Sequence, residues 1–511
     1  MNFKRAHGVL LHVSSLASQG GIGDLGPAAH AFVEFLAAAG QHVWQVLPMC
    51  PTGFGNSPYA GSSAFAGNPF LISLEVLAEW GWIAREQIAR ERIAELAGAD
   101  GAVNFDRVER EKLPVLEEAA ENFLERGAEN AAQWAEFEAF CAAERGWLND
   151  YALYAVLRRK LGTGAWTQWP EDLRFRRAEA LERVKAEDEH ALAVEQALQF
   201  AFRKQWGALR EHAARHGIRT MGDVPIFVNM DSADVWMHPE IFELDAALQL
   251  LRVAGVPPDY FSASGQRWGN PLYRWDVLRA RGYDWWVERI RAACARYDMV
   301  RLDHFRGFEA YWAIPAAEET AVNGAWVKGP GAELFHALEA ALGPLALVAE
   351  DLGVITEEVD ALRRGLKMAG MKVIQFGFSD KGAHTHLPQQ YEAGTVAYTG
   401  THDNDTTMGW WRTAGKPVHA AVEALVGPVH GHPVWPLMRA VAASVAAVAI
   451  VPAQDLLELG SEARMNTPAV AEGNWSWRAP EGCWAGERGA ELAAKLAALA
   501  AVTDRENDPL G

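Results

Sequence analysis

Short apolar runs recur along the chain. Each closes in polar or glycine-rich sequence, and helical stretches separate it from the next. They fall at residues 8–12, 43–48, 220–223, 299–303, 345–350, 373–377, 395–399 and 448–452. Hydrophobicity within them is nearly continuous rather than alternating, which is the pattern of strands covered on both faces in a parallel sheet. Eight such runs alternating with helices predict an α/β fold, a (β/α)8 TIM barrel.

The spacing is uneven, and this sets the expected organisation. Residues 1–76 supply the first part of the barrel. Residues 77–216 are rich in Ala, Glu and Arg and read as a helical insertion whose charges form solvated faces. Residues 217–502 complete the barrel, with a second insertion over 224–297. Within it, 257–271 is punctuated by Pro, Gly and Asn and is expected to be a loop. An Ala-rich helix is expected over 491–502 and a frayed, flexible tail over 503–511. No strand-rich stretch follows Arg478, so no C-terminal β-domain is expected. No internal repeat is evident.

Composition narrows the partners. Half of the 511 residues are hydrophobic and the net charge is −19, which opposes nucleic-acid backbones and anionic membrane surfaces. No nucleic acid and no membrane are therefore expected. The longest apolar run, 440–451, falls short of the roughly 18 residues of a membrane span. The first residues carry Lys4 and Arg5 but no apolar segment, so no signal peptide is read. Cys50, Cys141, Cys294 and Cys483 are scattered without a C-x-x-C pair, which argues against a zinc site or a disulfide scaffold and for a cytoplasmic location. No apolar stripe argues for a stable oligomer, and a monomer or weak homodimer is expected. The 21 tryptophans suit both core filling and stacking against sugar rings.

Working residues of such barrels sit at the C-terminal ends of strands. Asp303 closes one run, with Arg301 two residues earlier on the same face. Glu350 closes another. His402 and Asp403 follow a third. Retaining glycoside chemistry needs a carboxylate nucleophile and a carboxylic acid about 5–5.5 Å apart. Asp303 fits the nucleophile and Glu350 the acid/base, with Asp403 at a third corner to hold sugar hydroxyls. Strand-end acids can instead cap the helices that follow. Three acids with an Arg and a His beside them favour the chemical reading. Asp223 is a fourth strand-end acid, suited either to pinning Arg301 or to binding substrate. His12, His304 and His402 lack compact metal-ligand spacing and suit sugar hydroxyls better. No phosphate loop, dinucleotide fingerprint or nucleophile elbow is present.

These motifs, in this order, resemble the α-amylase superfamily: Arg301-Leu302-Asp303-His304, Glu350-Asp351-Leu352-Gly353 and Thr401-His402-Asp403-Asn404. Further segments narrow the resemblance to glycoside hydrolase family 77, the 4-α-glucanotransferases. They include Trp44-Gln45-Val46-Leu47-Pro48, Ser57-Pro58-Tyr59, Asp231-Ser232-Ala233-Asp234-Val235-Trp236 and Arg464-Met465-Asn466-Thr467-Pro468. The resemblance implies retaining transfer between maltooligosaccharides or other α-1,4-glucans, with cyclic glucans as a further product and no metal or organic cofactor. It implies Asp303 as nucleophile, Glu350 as acid/base and Asp403 as transition-state stabiliser. Tyr59, Asp223, Trp268, Arg301, His304, His402 and Asn466 are implied to bind substrate, and 257–271 to arch over the cleft. A hydrolase on the same carboxylates is the alternative. Ala17, Ala453, Glu458 and Ala469 depart from the family's usual Pro, Met, Gly and Gly. The last stiffens a loop beside the cleft.

Overall fold

The computed structural model describes residues 3–88, 101–162, 165–258, 262–379, 383–470 and 472–511. Its strands are β1 (Ala6–Leu10), β2 (Val43–Gln45), β3 (Arg219–Pro225), β4 (Arg252–Val256), β5 (Gln266–Pro271), β6 (Met299–Asp303), β7 (Ala310–Pro315), β8 (Ala325–Lys328), β9 (Leu347–Ala349), β10 (Gly370–Val373), β11 (Thr395–Tyr398) and β12 (Val448–Pro452). Eight of them pair in parallel in the order β10-β11-β12-β1-β2-β3-β6-β9. A parallel bridge between Val348 and Ala369 brings the two ends together. This is the predicted (β/α)8 barrel.

Alternation within each strand separates two cores. Leu10, Val43, Met221, Met299, Val348, Met371, Val396, Tyr398, Val448 and Ile450 pack together inside the barrel. Their neighbours Val9, Trp44, Val300, Leu302 and Val451 face the surrounding helices. The register therefore sends Arg301 and Asp303 the same way as Met299, into the barrel mouth.

The segment between β2 and β3 is helical, with long helices at Phe105–Glu125, Ala131–Lys160 and Glu189–Arg215. Trp82 stacks on Phe123 at 4.2 Å, and Phe137 and Phe200 surround Phe123. The last of these helices also belongs to the barrel wall: Trp206 meets Trp44 edge-on, and its indole N–H donates to Arg296 O at 2.8 Å.

Three expectations are corrected. The run at 373–377 is not the strand itself. The strand is Gly370–Val373, and Ile374–Phe378 is a 3-10 turn. Ile374 is as buried as the strand before it, so hydrophobicity does not mark where the strand stops. Gln375 draws the chain aside by donating to Asp405 O at 3.2 Å.

The segment 257–271 is not loop throughout, for Gln266–Pro271 forms β5, while 259–261 lie outside the described residues. β5 is half-exposed and held by pairing to β4, so no apolar pattern announces it. It belongs to a second, antiparallel sheet of order β5-β4-β7-β8, which the sequence did not reveal.

The tail at 503–511 is pinned rather than frayed. Arg505 is fully buried and donates to five carbonyls, those of Ala6, Ala442, Ser444, Ala446 and Ala447. Asp508 accepts both Nε and Nη2 of Arg219.

Candidate active site

The barrel brings all ten sequence-predicted site residues to one mouth. Asp223 ends its inward-facing row on β3 and is buried; Arg301 and Asp303 do the same on β6. The Arg301 guanidinium lies between the two carboxylates, 2.6 Å from Asp223 Oδ2 and 2.9 Å from Asp303 Oδ1. Tyr59, on a short turn capped by Ser57, donates its hydroxyl to Asp223 Oδ2 at 2.8 Å. Asp223 Oδ1 remains buried without a partner. Burial pushes the Asp223 carboxyl up to about 6, with Arg301 pulling it down and Asp303 adding to the rise. Asp303 keeps 28% of its side chain exposed at the cleft.

Glu350 follows β9. Its Oε2 accepts the backbone N–H of His304 at 2.8 Å and its Oε1 that of Leu352 at 2.9 Å. The first bond needs the left-handed backbone of His304, φ +52°, a conformation non-glycine residues adopt at some cost. Burial pushes the Glu350 carboxyl up to about 8. Arg301 pulls it back, Asp303 adds to the rise, and the two N–H groups oppose it without overcoming burial. One carboxyl at this site can thus hold a proton at neutral pH and release it to a bound group. The His304 ring is pushed down to about 4 by burial and stays neutral. Trp268, on β5, meets that ring edge-on at 4.8 Å.

On the opposite side, Asp403 follows β11. Asn466 donates to its Oδ1 at 2.6 Å, and His402 Nε2 lies 3.4 Å from the same atom. His402 stacks on Tyr59 with ring centroids 5.0 Å apart, joining this corner to the Asp223–Arg301–Asp303 chain. His12, beyond β1, is buried and pushed down to about 3 by that burial, with His402 adding to the fall.

Three supporting groups lie in segments that carry the family resemblance but were given no role from sequence. Trp475 packs against both Tyr59 and His402. Arg464 donates to the carbonyls of Asp403 and Asn466. Buried Asp455 accepts from Thr399 and Thr407, fixing the turn that carries Asp403. They follow no strand end except Asp455, and apart from the Arg464–Asn466 bond their partners are distant in sequence.

A parallel eight-stranded barrel with acid side chains gathered at the C-terminal strand ends is the architecture of a barrel enzyme, and a raised carboxyl beside an arginine-held one suits glycosidic-bond chemistry. The particular kinship follows from comparison with known proteins: the chain belongs to the 4-alpha-glucanotransferase family, glycoside hydrolase family 77, whose model matches residues 11–482. It is 46% identical to a 4-alpha-glucanotransferase of Thermus thermophilus over 99% of this chain and 100% of the relative. It is also 46% identical to the Synechocystis enzyme of that name over 93% and 94% of the two chains. An amylomaltase from Streptococcus agalactiae, solved in complex with acarbose, superposes with a TM-score of 0.93 at 37% identity, covering 99% of this chain and 100% of that one. The protein is a glycosyltransferase-type enzyme. Among the described residues, no helix is long and apolar enough to cross a membrane.

Proposed function

We propose that the protein disproportionates α-1,4-glucans by double displacement through a covalent glucosyl-enzyme on Asp303. The observation that carries the reading is the pairing of two unlike carboxyls. Asp303 is held against Arg301, while Glu350 is pushed up to about 8. Asp303 attacks the anomeric carbon while Glu350 protonates the leaving glycosidic oxygen, and the shortened glucan departs. Glu350, now a carboxylate, takes the proton of an incoming 4-hydroxyl, and that oxygen displaces Asp303 with net retention. When the incoming hydroxyl belongs to the same chain, the product is cyclic.

Asp403, oriented by Asn466, accepts sugar hydroxyls more strongly as the oxocarbenium-like state forms. Asp223, with its free oxygen, neutral His12 and His304, and the His402 ring offer further sugar contacts. Tyr59 and Arg301 hold Asp223 and Asp303. Transfer outruns hydrolysis when sugar rather than water fills the acceptor position. Trp268, set over His304, supports that reading. Four free thiols support a reducing, cytoplasmic setting.

Maltotriose alone tests the reaction: glucose together with maltopentaose and longer chains is expected. Glucose and maltose with nothing longer than the substrate would mean that water is the acceptor. Asp303→Asn is expected to lower kcat about 10³-fold or more; retention of a few per cent of activity would remove Asp303 from the nucleophile role.

A further inference from the structure

His304 and Arg306 lie one and three residues past Asp303, and each reaches an opposite edge of the second sheet. His304 meets Trp268 on β5. Arg306 lays its guanidinium 3.9 Å from the ring centroid of Trp326 on β8. Trp326 is 43% exposed. It is nonetheless held from two sides. Trp312, directly across the strand pair, meets it edge-on at 5.2 Å. Trp312 is itself fixed, since its indole N–H donates to Ala321 O at 2.8 Å and its ring lies within 2.2 Å of where a Cβ on Gly324 would fall. Arg306 is fixed in turn by donating to the carbonyls of Val354 and Ala310. An indole backed by a guanidinium, braced by a second indole and open to solvent is a rigid stacking surface with little conformational entropy left to lose on binding.

Its place in the fold indicates which ligand it meets. Val354, which accepts from Arg306, lies four residues past Glu350 and is 55% exposed. In the proposed reaction the acid/base protonates the leaving oxygen and deprotonates the incoming one, so the leaving and accepting glucans lie on the Glu350 side. β8 is three strand spacings from β5, about 14 Å, so a glucan lying against Trp268 meets Trp326 only if its chain continues across the sheet. We propose that Trp326 is a remote stacking platform for long α-1,4-glucan chains on the acid/base side of the cleft. The pyranose C–H face packs on the indole, and the Lys328–Glu309 pair at its flank offers charge to the hydroxyls. This rests on the reaction proposed above.

The test compares donors of different length. In Trp326→Ala, kcat/KM for a long linear glucan is expected to fall about tenfold relative to that for maltotriose, through KM rather than kcat. Trp326→Phe keeps most of the ratio. In native gels cast with amylopectin, the Ala variant is expected to be retarded less than wild type. Hydroxyl-radical footprinting of the wild-type enzyme makes the test independent of whether a variant folds. Trp326 is expected to be protected by the long glucan and not by maltotriose. An unchanged length ratio in the Ala variant, or a footprint at Trp326 that ignores the long glucan, overturns the platform. Wild-type enzyme that leaves maltotriose intact while the long glucan still protects Trp326 overturns the reaction and keeps the platform.

Discussion

The residue that ties site chemistry to stability is Glu350. A carboxyl raised to about 8 in the folded chain binds its proton more tightly there than in the unfolded chain, whose value is about 4.3. Between those values the native state holds more protons, so this group's contribution to stability falls as pH rises through the window. Glu350→Gln is therefore expected to abolish transfer and to lose one of the two backbone N–H bonds at every pH, while its stability relative to wild type rises by about 1–2 kcal/mol between pH 4 and pH 7. Melting curves at the two pH values check the sign of that difference. For activity, the acid must be protonated, so the kcat profile should decline on its alkaline side around pH 8. A pH profile flat from 7 to 9.5 would remove Glu350 from the acid role. Asp303, Glu350 and Asp403 were legible in sequence because an apolar run announces where each strand ends. The roles of Trp475 and Arg464 were not, because they lie in contacts with residues some sixty or more positions away.

At the scale of elements, legibility followed burial. The barrel strands are apolar throughout and were visible as runs. β5 and β8 are half-exposed edge strands held by backbone pairing, and a single sequence carries no mark of such pairing. The loop between Asn466 and Trp475 shows what a departure from family pattern does locally. Ala469 adopts φ +65° and is exposed. Asn474 closes the turn by accepting from Thr467 N and donating to Val470 O, both at 2.8 Å. A left-handed alanine costs roughly 1–2 kcal/mol, and glycine returns part of that as unfolded-chain freedom. Ala469→Gly is expected to raise stability by about 0.5 kcal/mol, read as a higher urea midpoint. Because Asn466 at the base of this loop holds Asp403, the length distribution of transfer products should shift with it. Glu458 is also left-handed, φ +53°, but its carboxylate accepts from the Trp435 indole at 3.1 Å, so Glu458→Gly loses a contact that Ala469→Gly does not.

At the scale of the whole molecule, the chain ends close the barrel. Read as sequence, 503–511 is a polar tail, and Arg505 looks like any solvated charge. In the fold it bonds carbonyls around β1 and the start of β12, two strands that pair across nearly the full chain length. Arg505→Ala removes a buried donor shared among five carbonyls, three of which also accept from Arg5 or from the Ala6 N–H, and is expected to cost about 3 kcal/mol, seen as a lower melting temperature. Arg505→Lys recovers little of this, because an ammonium cannot span the same set of carbonyls. The pairing of β1 with β12 also bears on how the protein is made. A ribosome delivers β1 long before its β12 partner, with Arg505 later still. Until then β1 has one neighbour and an open edge, and the helical segment between β2 and β3 can pack long before the barrel can. The catalytic mouth is assembled from strands on both sides of that seam, so a nascent chain gains its chemistry only once β12 is free to fold against β1.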